Sequence, residues 1–214
     1  MSNIARAERS RQSNNRLSEM IAVFLLGIAT IGTAWCGYQA SRWNQDQGDL
    51  ARQSSDLRVE ANRQFGLATQ QIVYDANLVA QYAKAVVDGD TKLQNFFKTT
   101  LFRPAFLPVL ERWQQAISEG KTPPNLLQDK DYLNSQLADY QTTQSKSEAI
   151  DLEGKRAGDN ADDYVLITVL LAAALFFAGV TTSFKLQMAR LVLITFAAVL
   201  IAYCISRIVT LPVT

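Results

Sequence analysis

Histidine is absent from all 214 residues. Its absence removes the usual general base, the commonest neutral metal ligand and the side chain that titrates near neutral pH. Cysteine occurs only as Cys36 and Cys204, so there is no Cys-x-x-Cys redox or zinc pattern. Glycine-rich phosphate loops and G-x-S-x-G elbows are missing too. Lys and Arg number 21 against 20 Asp and Glu and are dispersed, which leaves no electrostatic footprint for nucleic acid. No residue is singled out as catalytic, cofactor-binding or metal-ligating, and the expectation is a non-enzymatic protein without a cofactor. Proline is absent before Pro104, so nothing in the chain up to that point forbids one long helix.

Charge is missing locally as well. Residues 20–40, 164–184 and 191–206 form three uncharged, apolar runs, the last completed by Ile208 and Val209 beyond Arg207. With ends and tilt included, each meets the roughly 17–25 residues of a membrane-spanning helix. The expected class is an all-α membrane protein of three spans. A cleaved leader is the weaker reading of the start, because the first run is long for one and Trp35 would follow the cut at Gly32-x-Ala34. The cores of the three runs hold no acid or base, whereas ion-coupled transporters usually place ionisable groups there.

Orientation follows from the bases in short flanks. Arg6, Arg9, Arg11 and Arg16 precede the first span, and Lys185 and Arg190 lie between the second and third. Both flanks belong on the cytoplasmic side. Residues 41–163 hold 14 Lys and Arg against 18 Asp and Glu and belong outside. The expected order is a polar, loosely ordered cytoplasmic tail 1–16, a span 17–40, and an external helical domain 41–163. A second span 164–184, a cytoplasmic loop 185–190, a third span 191–209 and an external tail 210–214 follow.

Around residues 27–43, GIATIGTAWCGYQASRW, the first helix turns from apolar to polar. Trp35, Tyr38 and Trp43 mark a membrane interface, with Arg42 beside them and Arg207 at the same end of the third span. Small residues make two adjacent stripes, Ala29/Thr33/Gly37 and Gly32/Cys36/Ala40, on which other helices can approach closely. Beyond Ser41, apolar residues continue at helical spacing from Leu50 to Val86 and predict helix as far as Asp88-Gly89-Asp90. That is 48 residues from Ser41, or about 70 Å, with Gly48 and Gly66 as places to bend. A short helix over 91–101 follows, then one opened by Pro104 and reaching Ile117, which Pro108 kinks or delays. The aromatic residues of 93–113 read as a small core or, if exposed, as a docking tip. A loop begins at Gly120. Residues 129–163 form a weaker returning helix, with Gly154 and Gly158 against it. The whole reads as a long external helical hairpin capped by short helices.

Asp159, Asp162 and Asp163 stand before the second span. They could attract a cation, or simply end the span and pair with Arg42 or Arg207. Cys36 and Cys204 lie near the outer ends of their spans, as a disulfide or as buried free thiols. Gln39 with Tyr38 could line a site or bond across helices.

The segment W-x-G-Y-Q-A-x-x-W, built of Trp35, Gly37, Tyr38, Gln39, Ala40 and Trp43, carries a resemblance. So do D-N-A-D-D-Y-V-L into the second span, Ala174-Leu-Phe-Phe-Ala-Gly179, Phe102-Arg-Pro104 and Leu211-Pro-Val213. Together they resemble a family of uncharacterised bacterial three-span membrane proteins over nearly the whole chain. The resemblance implies a bacterial plasma-membrane protein with an external helical domain, and it assigns no activity. The functional expectation is a membrane scaffold or accessory protein that self-associates or binds a membrane or periplasmic partner. A small homo-oligomeric ion channel is the alternative.

Overall fold

The structure is a computed structural model that describes residues 2–122, 129–181, 184 and 186–214, with side chains from residue 19 onward except Gln187. Lys185, Pro123, Pro124 and the side chains of Arg6, Arg9, Arg11 and Arg16 lie outside the described residues. Helices account for nearly all of the rest, and no strand occurs among the described residues. The order is α1 (Ser2–Val87), α2 (Thr91–Phe96), a π-helical turn (Phe97–Leu101), α3 (Leu107–Ser118), α4 (Lys130–Val180) and α5 (Gln187–Thr210). Three of these, α1, α4 and α5, are long and apolar enough to cross a membrane.

Helix α1 departs from expectation at its start, while its middle is continuous as expected. It begins at Ser2 rather than near residue 17. Extending an existing helix adds a hydrogen bond per residue without a new nucleus, and no proline or glycine occurs before Gly27 to interrupt it. Gly48 and Gly66 do not break it either. It ends where expected. Gly89 takes φ 70°, its N–H reaches Val86 O at 3.2 Å, and Asp90 N–H reaches Ala85 O at 3.1 Å. This pair of bonds closes the helix end on a left-handed glycine. Asp90 then caps α2 by accepting from Leu93 N–H at 3.0 Å.

Pro104 does not open a helix. It sits in a turn, and α3 starts at Leu107 with Pro108 in its first turn, where a missing N–H costs nothing. Pro108 therefore delays the helix instead of kinking it. Gly120 ends α3 with φ 68°, in the same bonding pattern as Gly89. Helix α4 runs unbroken through Gly154 and Gly158 and stops at Val180, so Phe184 lies past its end. Helix α5 starts at Gln187, inside the expected loop.

The described residues divide into two compact units, 1–51 with 151–214, and 52–150. In the first, α1, α4 and α5 enclose a core of Ala29, Cys36, Tyr164, Leu171, Ala174 and Cys204, among others. Here α1 and α4 run antiparallel, since Gly32 meets Leu171, Gln47 meets Gly158 and Leu50 meets Gly154. In the second, Ser54 bonds Ser147, Phe65 contacts Tyr140 and Asp75 bonds Tyr132. Buried residues on α1 recur every seven there, at Ser54, Ala61, Ala68, Asp75 and Tyr82. A seven-residue repeat keeps one face turned toward a partner helix over many turns.

Candidate functional sites

Two polar constellations and one aromatic cluster stand out. The aromatic residues of 93–113 mostly turn inward. Tyr82 packs edge-on against Phe102 at 5.5 Å and Phe97 at 6.0 Å. Phe102 stacks on Phe106 at 5.4 Å, and Phe106 meets Tyr132 edge-on at 5.2 Å. The π turn makes this possible: Phe102 N–H reaches Phe97 O at 2.9 Å. The extra residue in that turn re-aims the side chains that follow it. Phe96 on α2 is the exception, at 50% exposed, and Leu93 on the same helix is 41% exposed.

Beneath this cluster lies a polar knot that the sequence did not announce. Asp75 is fully buried on α1. Arg103 holds it through both carboxylate oxygens, with Nε donating to Oδ1 at 3.2 Å and Nη2 to Oδ2. Tyr132 donates its hydroxyl to Oδ2 at 2.5 Å. Arg103 also donates to Gln71 Oε1 at 2.9 Å and Gln136 Oε1 at 3.2 Å. The bond to Asp75 holds the Arg103 guanidinium above its ordinary value. Burial, then the bond to Asp75, pushes the Tyr132 phenol well above its own. These bonds join α1, α4 and the turn before α3.

At the other constellation the tail that follows α5 bonds α1 and α4 of the first unit. Trp43 Nε1 and Tyr164 Oη each donate to Pro212 O at 3.2 Å. Buried Gln39 accepts from Thr214 N–H at 3.2 Å and from its hydroxyl at 2.9 Å. Gln39 therefore bonds the tail, while Tyr38 points outward and contacts Trp35 at 6.1 Å.

Of the two expected packing stripes, Ala29, Cys36 and Ala40 are buried. A Cβ on Gly32 would stand 3.1 Å from Leu171 Cδ1. Thr33 bonds its own helix at Ala29 O, 2.7 Å. Gly37 is exposed with nothing within 4 Å, so the first stripe does not pack along its length within the chain. Its axis has drifted off the buried face, which instead follows Ala22, Ala29 and Cys36, seven apart. Trp35 is exposed, and Arg42 reaches Gln45 Oε1 at 3.4 Å. Arg207 pairs with Asp163 at 3.4 Å, and Asp159 and Asp162 are exposed. Among the described residues no group of three acidic or thiol side chains is arranged to hold a metal ion. Cys36 and Cys204 are both free and buried in the same core.

Sequence reasoning missed Gly154 and Gly158 as contact points. A Cβ on Gly154 would lie 3.4 Å from Leu50 Cβ and 3.8 Å from Gln47 O, and one on Gly158 would meet Gln47 Nε2 at 2.5 Å. The signal was present as Gly-x-x-x-Gly, but those glycines read as helix breakers.

No family model, curated protein or solved structure matches this chain.

Proposed function

We propose that this chain is a non-enzymatic scaffold or accessory protein of a bacterial plasma membrane, related to the three-span family it resembles. Its amino terminus is cytoplasmic, and α1 and α4 extend outside as a helical hairpin that α2 and α3 cap. It works by association, with copies of itself or with one membrane or periplasmic partner. The observation that carries this reading is the contrast within the cap. The charged and aromatic groups around Asp75 are closed on one another, whereas Leu93 and Phe96 stay exposed beside them. A rigid cap with an apolar outer edge suits docking better than turnover, because an exposed apolar patch marks an interaction surface.

Size measurement in mild detergent and ion flux in liposomes test the proposal together. The expected result is a defined complex without flux, dispersed by Leu93→Ser/Phe96→Ser while the fold persists. Steady flux from the purified chain would overturn it in favour of a channel.

A further inference from the structure

In the second unit, α1 buries every seventh residue from Ser54 to Tyr82. Five residues on from each of these, about 140° around the helix, lies a second repeat of Val59, Gly66, Val73, Ala80 and Val87. No described residue covers it. Val59 is 67% exposed, Val73 54% and Val87 86%, Ala80 is exposed, and a Cβ on Gly66 would meet nothing within 4 Å. The residues four before each, from Ser55 to Ala83, are small or polar, and none is charged. The resulting stripe is about 48 Å long. Its lack of charge is particular to this helix. From Gln64 to Ala83 the one charged residue of α1 is the buried Asp75. An equal stretch of α4 from Lys130 carries Asp131, Asp139, Lys146 and Glu148 besides that lysine.

We infer that this stripe pairs with the same stripe of a second copy, the two α1 helices running parallel and in register. The inference rests on the association and membrane-spanning readings of the proposed function. A repeat of seven keeps facing its partner over many turns only if that partner is also a helix. Copies that cross one bilayer with one sidedness send α1 outward in the same direction, so each offers the stripe parallel to the other and at the same height. On the two-fold axis of such a pair every residue meets its own counterpart. A charge there would face the same charge, and the stripe has none. A partner of different sequence is chosen through opposite charges, which this stripe does not offer. Asn62 supplies the alignment. Its amide both donates and accepts, so it bonds its twin, and one polar residue in a helical seam fixes register. Gly66 and Ala80, alternating with the valines, let the two backbones approach.

Disulfide cross-linking in membranes and mass in mild detergent test the inference on the full chain. On a Cys36→Ala/Cys204→Ala background, Val73→Cys and Ala80→Cys oxidised with copper phenanthroline should each give a covalent dimer. Gln81→Cys, exposed on another face of the same helix, should not. Val73→Glu should turn the dimer into a monomer that stays folded, because the position is exposed and two like carboxylates would meet in the pair. Val73→Lys should do the same. Co-expressed, the two variants should recover the dimer as a mixed pair, a rescue that a folding defect cannot produce. A monomeric unaltered chain, equal cross-linking from Gln81→Cys, or no rescue in the mixture would overturn the inference. So would an unchanged mass in Val73→Glu. If Leu93→Ser/Phe96→Ser still disperses that unchanged complex, the association reading stands and the stripe alone is rejected.

Discussion

Asp75 is where single side chains matter most. The fully buried Asp75 carboxylate is satisfied by the donors that Arg103 and Tyr132 supply. Replacing Arg103 with Met leaves that charge without its counter-ion, and breaking one side of a buried pair costs about 3–5 kcal/mol. Pairing Arg103→Met with Asp75→Leu removes both charges and should recover much of the loss. Hydrogen exchange of segment 97–113 in the detergent-solubilised chain measures both variants, and a double variant no better than the single one would deny the pairing its role. The phenols give a pH test. Burial raises the Tyr82 and Tyr132 values in the folded chain. As pH rises through the ordinary phenol value near 10, the unfolded chain loses protons that the folded chain keeps. Stability from these groups is therefore fully present below about pH 10 and is lost progressively above it. Asp129 acts at the other limit, because the Tyr132 N–H and then Arg112 hold its value low. Its contribution disappears as pH falls below the usual carboxylate range. None of this was legible in advance. Asp75 is one acid among 18 in a long polar stretch, and only the folded neighbourhood separates it from the solvated ones.

At the scale of elements, the sequence spoke clearly through periodicity and stops, and poorly through glycine. The apolar spacing from Leu50 to Val86 and the Asp88-Gly89-Asp90 stop located the end of α1 correctly, because both are local effects. Proline at Pro104 misled, since a turn and a first helical residue make the same local demand on its φ angle. Glycines misled more. Gly154 and Gly158 looked like weaknesses in α4 and are instead places where it meets α1, while Gly37, expected in a seam, faces open space. The difference lies in the partner helix, which no single helix's sequence contains. Gly154→Leu should thus destabilise the detergent-solubilised chain by about 1–3 kcal/mol through overpacking. Gly158→Ala should cost little, because the atom it meets ends the flexible Gln47 side chain. Gly37→Leu should leave the single chain's thermal unfolding unchanged. If Gly37→Leu instead lowers stability as much as Gly154→Leu, its face is covered by another copy, and the oligomer band should weaken in step.

For the whole molecule, the three long apolar helices agree with the three uncharged runs, because length and hydropathy alone define a span. Sidedness is a different kind of property. It follows from where bases fall relative to the spans, and the proposed orientation rests on the arginines before the first span together with Arg190 and Lys185. It makes a sharp prediction when single cysteines are placed on a Cys36→Ala/Cys204→Ala background. Thr122→Cys and Val213→Cys are chosen because both positions are exposed and neither side chain holds the tail on Gln39. A membrane-impermeant maleimide should label these two in intact cells, and should label Ser10→Cys only after permeabilisation. The two outer sites probe different links. In the proposed topology Thr122 follows one span and Val213 follows three, so an odd number of crossings puts both on the same side. Labelling of Thr122 without Val213 would mean that α5 turns back without crossing. The tail could then not reach Trp43 and Tyr164, and the hydrogen bonds to Pro212 would be absent. Labelling of Ser10 alone in intact cells would invert the molecule and place the aromatic cap, with its exposed Leu93 and Phe96, in the cytoplasm. A periplasmic partner would then be ruled out, and the search for what docks on the cap would move to the other compartment.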